Sequence, residues 1–500
     1  MKTNEPGIYD VIVAGAGMGG MSAAALLSAD GYNVLVLEAA HVPGGCSSSF
    51  QRKGHIFESG ATTLIGFDEH QPMRILEEKL GITIPRKAIV PSMTVHQDGK
   101  KIIRWQEREQ WIGEVTGHFG EANEQRKFWE LAFRVSDVVW KVSGRNPFFP
   151  PLKPSEYAKL LKNDPRDVWV LPHALRSVRK TAKKAGISNP AFFRFLDEQL
   201  MISSQAHSHE TPFLFGAPAI TYTNYTNYYV PGGLLEMVRS VQEVLEQTGG
   251  VLKTRTKVAS IRKRGELWHA ESEKGERFRG RAVVSNLPVW NMADLTPGKM
   301  KSYFRREAER YDQAWGAFTM GIVTDDVYPE EITLHHQIHI DPQERVEGLD
   351  SDSLFVSFSA PEDEKRSKNG KRVLNVSTHA DPDYWLSLNG SYETGKARVQ
   401  EAVTRVLRTK LPGFDKAEID VIFSSTPVSW GNWVYRYKGR VGGIPQSMNR
   451  SLLDWTPAKT PFGGLYLCGD TVFPGQGIPG VTLSGINVYY RIKEDFKKNR

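Results

Sequence analysis

The sequence predicts an α/β protein, a β-α-β unit at the N-terminus followed by α+β material, on three observations. Residues 11–14 form a short apolar run, residues 21–28 are rich in helix formers, and residues 34–37 are a continuous β-type run. That is the pattern of parallel strands buried on both faces around a helix. Between the first strand and the helix, Gly15-Ala16-Gly17-Met18-Gly19-Gly20 matches G-x-G-x-x-G, and Glu38 ends the second strand 18 residues after Gly20.

Each part of this unit has a physical task. The first glycine permits a tight turn, the second lets a pyrophosphate approach the backbone, and the third lets helix and strand pack closely. Amides at the helix N-terminus face the phosphate charge. A carboxylate at position 38 accepts hydrogen bonds from both ribose hydroxyls of an adenosine, which disfavours a 2′-phosphate. The unit therefore predicts dinucleotide binding. It also accounts for the absence of charge over residues 11–29, which are expected to be a buried strand and helix. Glu5, Asp10 and the glycines 15, 17, 19 and 20 oppose a signal peptide or a membrane helix there. No other apolar run approaches the ~20 residues needed to cross a bilayer, so no spanning segment is expected.

At 500 residues the chain is expected to form two or three units. A compact chain of this size buries roughly 75% of its unfolded surface. Cys46 and Cys468 are too few for a disulfide framework or a four-cysteine zinc site, which points to a reducing compartment. The net charge of +7 is mild for the length and permits an anionic surface as partner.

Downstream, Asp98-Gly99 between alternating segments predicts a hairpin over residues 93–105. Residues 107–186 read as mostly helical, broken by the proline-rich patch 147–154 and by Pro165 and Pro172. An amphipathic helix over residues 234–246 stops at Gly249-Gly250. Strands are expected at 252–261, 267–272 and 282–285, then at 318–323, 333–340, 354–358 and 373–378. Residues 397–407 read as helix, and the chain closes with a strand at 465–468 and a helix from about Val481.

Two further segments narrow the cofactor. Pro43-Gly44-Gly45-Cys46 follows Glu38, a second glycine pair for which a nicotinamide dehydrogenase has no need. Near the C-terminus, Cys468-Gly469-Asp470 ends a strand, and a loop through Pro474, Gly475 and Gly477 leads into the last helix. Residues 475–480 are a literal G-x-G-x-x-G without a strand directly before it. Their expected task is to deliver a helix N-terminus to the far end of an extended cofactor.

These segments resemble the glutathione-reductase-type flavoprotein fold shared by amine oxidases and carotenoid desaturases. Four stretches are more particularly similar to the carotenoid desaturase and carotene isomerase group: residues 43–64, Tyr229-Val230-Pro231-Gly232-Gly233, Gly439-Arg440-Val441-Gly442-Gly443-Ile444-Pro445-Gln446, and residues 469–485. They span essentially the whole chain. The resemblance implies a Rossmann-type FAD-binding domain interleaved with an α+β substrate domain. Residues 1–75, 232–300 and 440–500 would form the first, and 76–231 and 301–439 the second.

The resemblance also implies the FAD contacts. Gly15, Gly17 and Gly20 would hold the pyrophosphate and Glu38 the ribose, with Gly44 and Gly45 passing close to the cofactor. Val258 would hold the adenine through its backbone, and Gly469 and Asp470 would meet the pyrophosphate and ribityl chain. Val481 would start the helix aimed at the flavin ring, whose anionic reduced form that positive end stabilises. Cys46 departs from the basic residue that many relatives carry after the glycine pair. The loop 470–477 looks closer to carotene isomerases than to bacterial phytoene desaturases.

The implied activity is FAD-dependent oxidoreduction at C–C and C=C bonds of a long apolar polyene, by desaturation or isomerisation. Its rivals are a retinol-saturase-like or other isoprenoid oxidoreductase, a non-enzymatic prenyl-lipid binder of the Rab GDP-dissociation inhibitor type, and an amine oxidase. The intact glycine turn, Glu38 and Gly469-Asp470 weigh against the binder, and the match at residues 441–446 against the amine oxidase. The pocket is expected to be a long apolar tunnel with few ionisable groups. No catalytic acid or base is assigned, and no metal. His335, His336 and His339 read as a solvated strand face, and His207, His209 and Glu210 likewise do not read as a metal site. Tyr222, Tyr225, Tyr228, Tyr229, Trp430 and Trp433 either line the channel or pack as ordinary aromatics. Both cysteines are expected to sit tight against the cofactor without a redox role.

From residue 173 to 184, Arg176, Arg179, Lys180, Lys183 and Lys184 fall on one side of a helical wheel, with Leu175, Val178, Ala182 and Ala185 on the other. Phe148, Phe149 and Trp169 lie upstream. Such a helix either packs on the core with a solvated basic face or lies in a bilayer interface. A lipid-borne substrate favours the second reading: a cytoplasmic protein peripherally associated with a membrane through a helical region near 147–186. The basic residues do not interleave with base-stacking aromatics, so no nucleic-acid partner is expected.

Overall fold

The computed structural model describes residues 7–160, 163–311 and 313–498. Among them, two seven-stranded sheets form the frame. The first is built on Ile8–Ala14, an apolar strand with parallel neighbours on both sides, Val34–Leu37 and Arg277–Ser285. Val251–Lys253 extends it beyond Val34–Leu37, and Leu465–Leu467 pairs in parallel with the end of Arg277–Ser285. The register sets Val13 between Val36 and Val284, and Val284 beside Tyr466. Strands from the two ends and the middle of the chain thus lie side by side. The antiparallel pair Val258–Arg264 and Leu267–Ser272 adds to the other end of Arg277–Ser285.

The expected strand at 252–261 is in fact two. Arg255 takes a left-handed φ of 53°, which turns the chain between Val251–Lys253 and Val258–Arg264. The strand expected at 282–285 begins earlier, at Arg277, because its polar first half pairs with Leu267–Ser272.

The helix Met18–Ala29 is buried at every residue from Met18 to Ser28, which explains its lack of charge: it has no solvated face. It packs between Leu235–Gln247 and the last helix, Ile478–Lys498. The crossing with the last helix is tight enough that a Cβ on Gly485 would lie 2.2 Å from the Gly19 carbonyl oxygen.

The second sheet runs Ile419–Ser425, Gly316–Asp325, Lys371–Ala380, Ser353–Phe358, His335–His339, Met93–Gln97, Lys100–Arg104. Its alternation separates two faces. Phe318, Met320, Ile322, Leu374 and Val376 meet Val399, Val403 and Leu407 of the helix Tyr392–Lys410. The opposite face carries Thr319, Gly321, Asn375 and Ser377 and looks toward the first sheet's glycine loops. Asp98 and Gly99, both at positive φ, make the predicted hairpin turn that brings Lys100–Arg104 to the edge.

A helical layer covers that edge, with Trp111, Trp129, Phe192, Phe195 and Phe213 at its core. Arg104 is fully buried there. Its guanidinium donates to Gln199, to the Ile220 carbonyl and to Thr223, and stacks 4.1 Å over Trp111. A buried charge persists only when its donors are satisfied in this way.

Candidate cofactor site

The glycine turn closes as its sequence requires. Gly15 takes a φ of 95° while its amide donates to the Leu37 carbonyl at 2.8 Å. Gly17 faces Asn286, and a Cβ there would lie 2.4 Å from Asn286 Nδ2. Gly20 turns inward: a Cβ would lie 2.4 Å from the Gly15 carbonyl oxygen, so this glycine lets helix and strand approach. Its amide donates to Asn286 Oδ1 at 3.0 Å.

Glu38 stands at the end of Val34–Leu37 and accepts the amides of Ala16 at 2.6 Å and Ala40 at 2.8 Å. Burial raises its carboxyl above the usual range, against the pull of those two amides. Gly44, at φ 109°, donates its amide to the Ala16 carbonyl, and Gly45 comes so close that a Cβ would lie 3.5 Å from Gly17 Cα. The second glycine pair therefore lies against the first turn.

The C-terminal segment arrives at the same place. The Gly469 amide donates to Ser484 Oγ at 2.8 Å, and Ser484 donates to the Val481 carbonyl at 2.7 Å. The last helix begins at Ile478, three residues before the expected Val481. Asp470 pairs with Arg436 at 2.6 Å, both side chains almost fully buried, and Cys46 lies beside that guanidinium. Gly443, at φ 76°, packs on this point, where a Cβ would lie 2.2 Å from the Asp470 carbonyl oxygen. The Gly439–Gln446 motif is thus a joint against the Gly469-Asp470 loop.

Of the ten residues expected at the cofactor, all but Gly20 line one cavity of about 1020 Å³: Gly15, Gly17, Glu38, Gly44, Gly45, Val258, Gly469, Asp470 and Val481. The same cavity continues to the second sheet, where Thr319, Gly321, Asn375, Ser377, Phe423 and Ser425 line it with Phe57, Trp430 and Trp433. The wall mixes apolar and polar groups where a tunnel apolar throughout was expected. The aromatic rings of Phe50, Phe57 and Phe423 cluster at one part of the wall, with Arg52 stacked 4.2 Å over Phe423. Hydroxyl and amide groups occupy another, because the sheet's apolar face is turned to the helix Tyr392–Lys410 instead.

Other expected residues fall elsewhere. The tyrosines named above do not line the cavity: Tyr222 packs in the helical layer, Tyr225 donates to Asp137, Tyr228 meets Phe67 edge to face, and Tyr229 donates to Asp363. His335, His336 and His339 are buried, not solvated, because their strand lies inside the sheet between Ser353–Phe358 and Met93–Gln97. His335 pairs with Ser357 at 2.8 Å and His336 with His96 at 3.0 Å. Ligand atoms of His207, His209 and Glu210 come within 4.8 Å of one another on a partly exposed loop. Cys468 is buried, its thiol pushed up by burial and 3.4 Å from Asn286 Oδ1.

The basic segment is shorter than its wheel implied. Residues Pro165–Leu175 form a 3-10 helix, and Val178–Ala185 is the α-helix, capped by Ser177. Val178 and Ala182 pack on the core while Lys180, Lys183 and Lys184 face solvent. No described residue of 147–186 lines the cavity.

Asn286, Arg436 and Asn375 are among the cavity-lining residues that the sequence did not reveal. Asn286 directly follows a recognised strand, which was the available signal.

A glycine turn opening a helix, a carboxylate ending the next strand, and a cavity formed by both ends of the chain define a dinucleotide-binding flavoprotein fold. The sequence profile of the flavin containing amine oxidoreductases matches residues 18–492, and the chain belongs to that family. Its cofactor is FAD. Among curated proteins, the chain is similar to the chloroplastic prolycopene isomerase of Daucus carota, 25% identical over 97% of this chain and 80% of that protein. It is also similar to the neurosporene-forming phytoene desaturase of Rhodobacter capsulatus, 25% identical over 97% and 94%. Among solved structures, cyclohexylamine oxidase from Brevibacterium oxydans superposes with a TM-score of 0.61 at 13% identity, covering 98% of this chain and all 100% of the other. The last likeness is one of fold.

Proposed function

We propose that this protein is an FAD-dependent enzyme of the carotenoid desaturase and isomerase group, acting on C–C and C=C bonds of a long isoprenoid polyene. The observation that carries the reading is the single cavity running from Glu38, past both glycine pairs, to the face of the second sheet. The full-length similarity to prolycopene isomerase and phytoene desaturase supports the substrate class.

The residues fit the cofactor. Glu38 holds the adenosine ribose, Val258 the adenine, and Gly15, Gly17, Gly44 and Gly45 present bare backbone to the pyrophosphate, with Gly20 closing the turn behind them. Gly469 and Asp470 hold the ribityl side, and Val481 lies in the first turn of the helix aimed at the ring. Bound flavin supplies hydride acceptance or donation at carbon. The protein's own part is to bind, orient and exclude water: Trp430 and the Phe57–Phe423 pair wall the reacting region. The FAD-binding unit then comprises residues 1–75, 232–300 and 440–500, in keeping with the sources of the first sheet's strands, and the substrate unit 76–231 and 301–439.

The same reading includes a peripheral membrane contact. Among the described residues no helix is long and apolar enough to cross a membrane. Val168, Trp169, Leu171 and Leu175 of the 3-10 segment are exposed, Leu175 by 82%, beside the solvated lysines of Val178–Ala185. Apolar side chains flanked by basic ones suit an anionic interface. Flotation with anionic vesicles should carry the protein upward, and Leu175→Glu with Trp169→Glu should leave it at the bottom. Flotation of that variant equal to the parent's overturns this contact.

Expression in cells that accumulate defined carotenes, followed by pigment chromatography, tests the activity. A longer-wavelength or cis-to-trans shifted pigment is expected. Unchanged pigments in every strain, with flavin-loaded protein present, would contradict it.

A further inference from the structure

The cavity wall formed by the second sheet is more polar than a hydrocarbon needs. In the strand register, Thr319 lies between Ser377 and Ser425, which sets three hydroxyls in one cross-strand row. In the next row on that face, Gly321 lies between Asn375 and Phe423. The row after that, Val323 between Val373 and Val421, is apolar and packs on Phe57. One face thus grades from apolar through mixed to hydroxyl-bearing.

Two donors on this wall have no partner. Asn375 Oδ1 accepts the Glu58 amide at 3.0 Å, which fixes the carboxamide and leaves Nδ2 unpaired, although the residue is only 8% exposed. The indole Nε1 of Trp430, a residue 5% exposed, is likewise unpaired. Among the described residues the hydroxyls of Thr319, Ser377 and Ser425 make no side-chain hydrogen bond. All five residues line the cavity. Asn375 Nδ2 and Trp430 Nε1 are closed off from the cavity, whereas the three hydroxyls face it, and a hydrocarbon covering that row would take away their water without offering a partner in return.

We infer that the substrate carries an oxygen, as a hydroxyl or carbonyl group, and that the Thr319–Ser377–Ser425 row receives it. The inference rests on the proposed isoprenoid reading and deepens it: the substrate is an oxygenated isoprenoid polyene rather than a pure hydrocarbon. Its apolar chain lies along the Phe57–Phe423 side, and its oxygen meets the hydroxyl row.

The test titrates the FAD-loaded protein in detergent with all-trans-retinol, all-trans-retinal and the deoxy hydrocarbon of the same polyene. Perturbation of the flavin absorbance and quenching of tryptophan fluorescence report binding independently of turnover. An oxygen that gains one charge-neutral hydrogen bond with these donors should bind roughly tenfold tighter than the hydrocarbon. Alcohol against aldehyde separates the two oxygen types, and tighter binding of either supports the inference. Ser377→Ala with Ser425→Ala, which removes only cavity-facing hydroxyls, should bring the oxygenated ligand close to the hydrocarbon's affinity. Equal binding of hydrocarbon and oxygenated polyene to the parent protein overturns this inference and leaves the isoprenoid reading standing. Binding of none of the three overturns both.

Discussion

Asn286 Oδ1 accepts the backbone amide of Gly20 at 3.0 Å across 266 residues of sequence. The same side chain covers Gly17, and the backbone N–H of Asn286 donates to the Ala14 carbonyl at 2.8 Å. One residue at the end of Arg277–Ser285 therefore fixes the turn that faces the cofactor. Asn286→Ala should lower stability by about 1–3 kcal/mol, the cost of leaving a buried amide unpaired. Urea unfolding measures that loss, and flavin retained through gel filtration should fall in parallel.

Arg436 and Asp470 form a nearly buried ion pair at 2.6 Å on the cavity wall. Arg436→Met leaves the carboxylate buried without its countercharge, which in comparable pairs costs about 3–5 kcal/mol. The double variant Arg436→Met with Asp470→Asn should recover part of the loss. Chemical denaturation of the two variants gives the comparison, and equal stability of all three proteins would refute the coupling.

Glycines of different surroundings should respond oppositely to alanine. At Gly485 a Cβ would lie 2.2 Å from the Gly19 carbonyl oxygen and force the two helices apart, an overpacking cost of about 1–3 kcal/mol. At Gly113, inside the helix Arg108–Phe119, a Cβ meets nothing within 4 Å, and alanine should stabilise by up to about 1 kcal/mol. Thermal unfolding should therefore shift down for Gly485→Ala and up for Gly113→Ala.

Stability should fall in mild acid because several histidines are buried in the neutral state. Burial lowers His335 to about 3, and His96, His339 and His379 to about 4, against an ordinary value of 6.5. The unfolded chain takes up these protons below about pH 6.5 while the folded chain does not. The stabilisation is complete above that pH and is lost as pH falls toward 4. Burial raises the carboxyls of Glu38, Glu58 and Glu198, which opposes the trend, so the difference between two proteins is the cleaner measure. The unfolding free energy of His335→Gln, from urea titrations, should decline less steeply with falling pH than the parent's, by about 1.4 kcal/mol per pH unit between roughly 6 and 4.

The cofactor cradle was legible where its chemistry is local. The turn 15–20, Glu38 and the pair Gly44-Gly45 lie close in sequence and follow one steric logic. Gly469 and Val481 were legible through a motif rather than through periodicity. Asn286 was not, because an asparagine after a strand reads as an ordinary turn until its partner 266 residues away is known. The division of 252–261 was hidden by Arg255, whose left-handed backbone leaves the β-type composition unchanged. The histidine strand misled for a related reason. Three histidines suggest solvent, and only the fold shows that the interior pairs His336 with His96 and His335 with Ser357. The polar cavity wall was beyond reach because which face of Gly316–Asp325 meets the cavity depends on where the helix Tyr392–Lys410 packs.

The central claim is that distant segments of one chain build a single cradle for FAD in which a polyene can be brought to the ring. Its most direct test is the visible spectrum of the purified protein after incubation with FAD and removal of the unbound excess. A flavin band at one FAD per chain is expected, abolished by Gly17→Val, whose side chain would collide with Asn286. A protein that stays colourless, or a Gly17→Val variant that keeps its full flavin content, would contradict it.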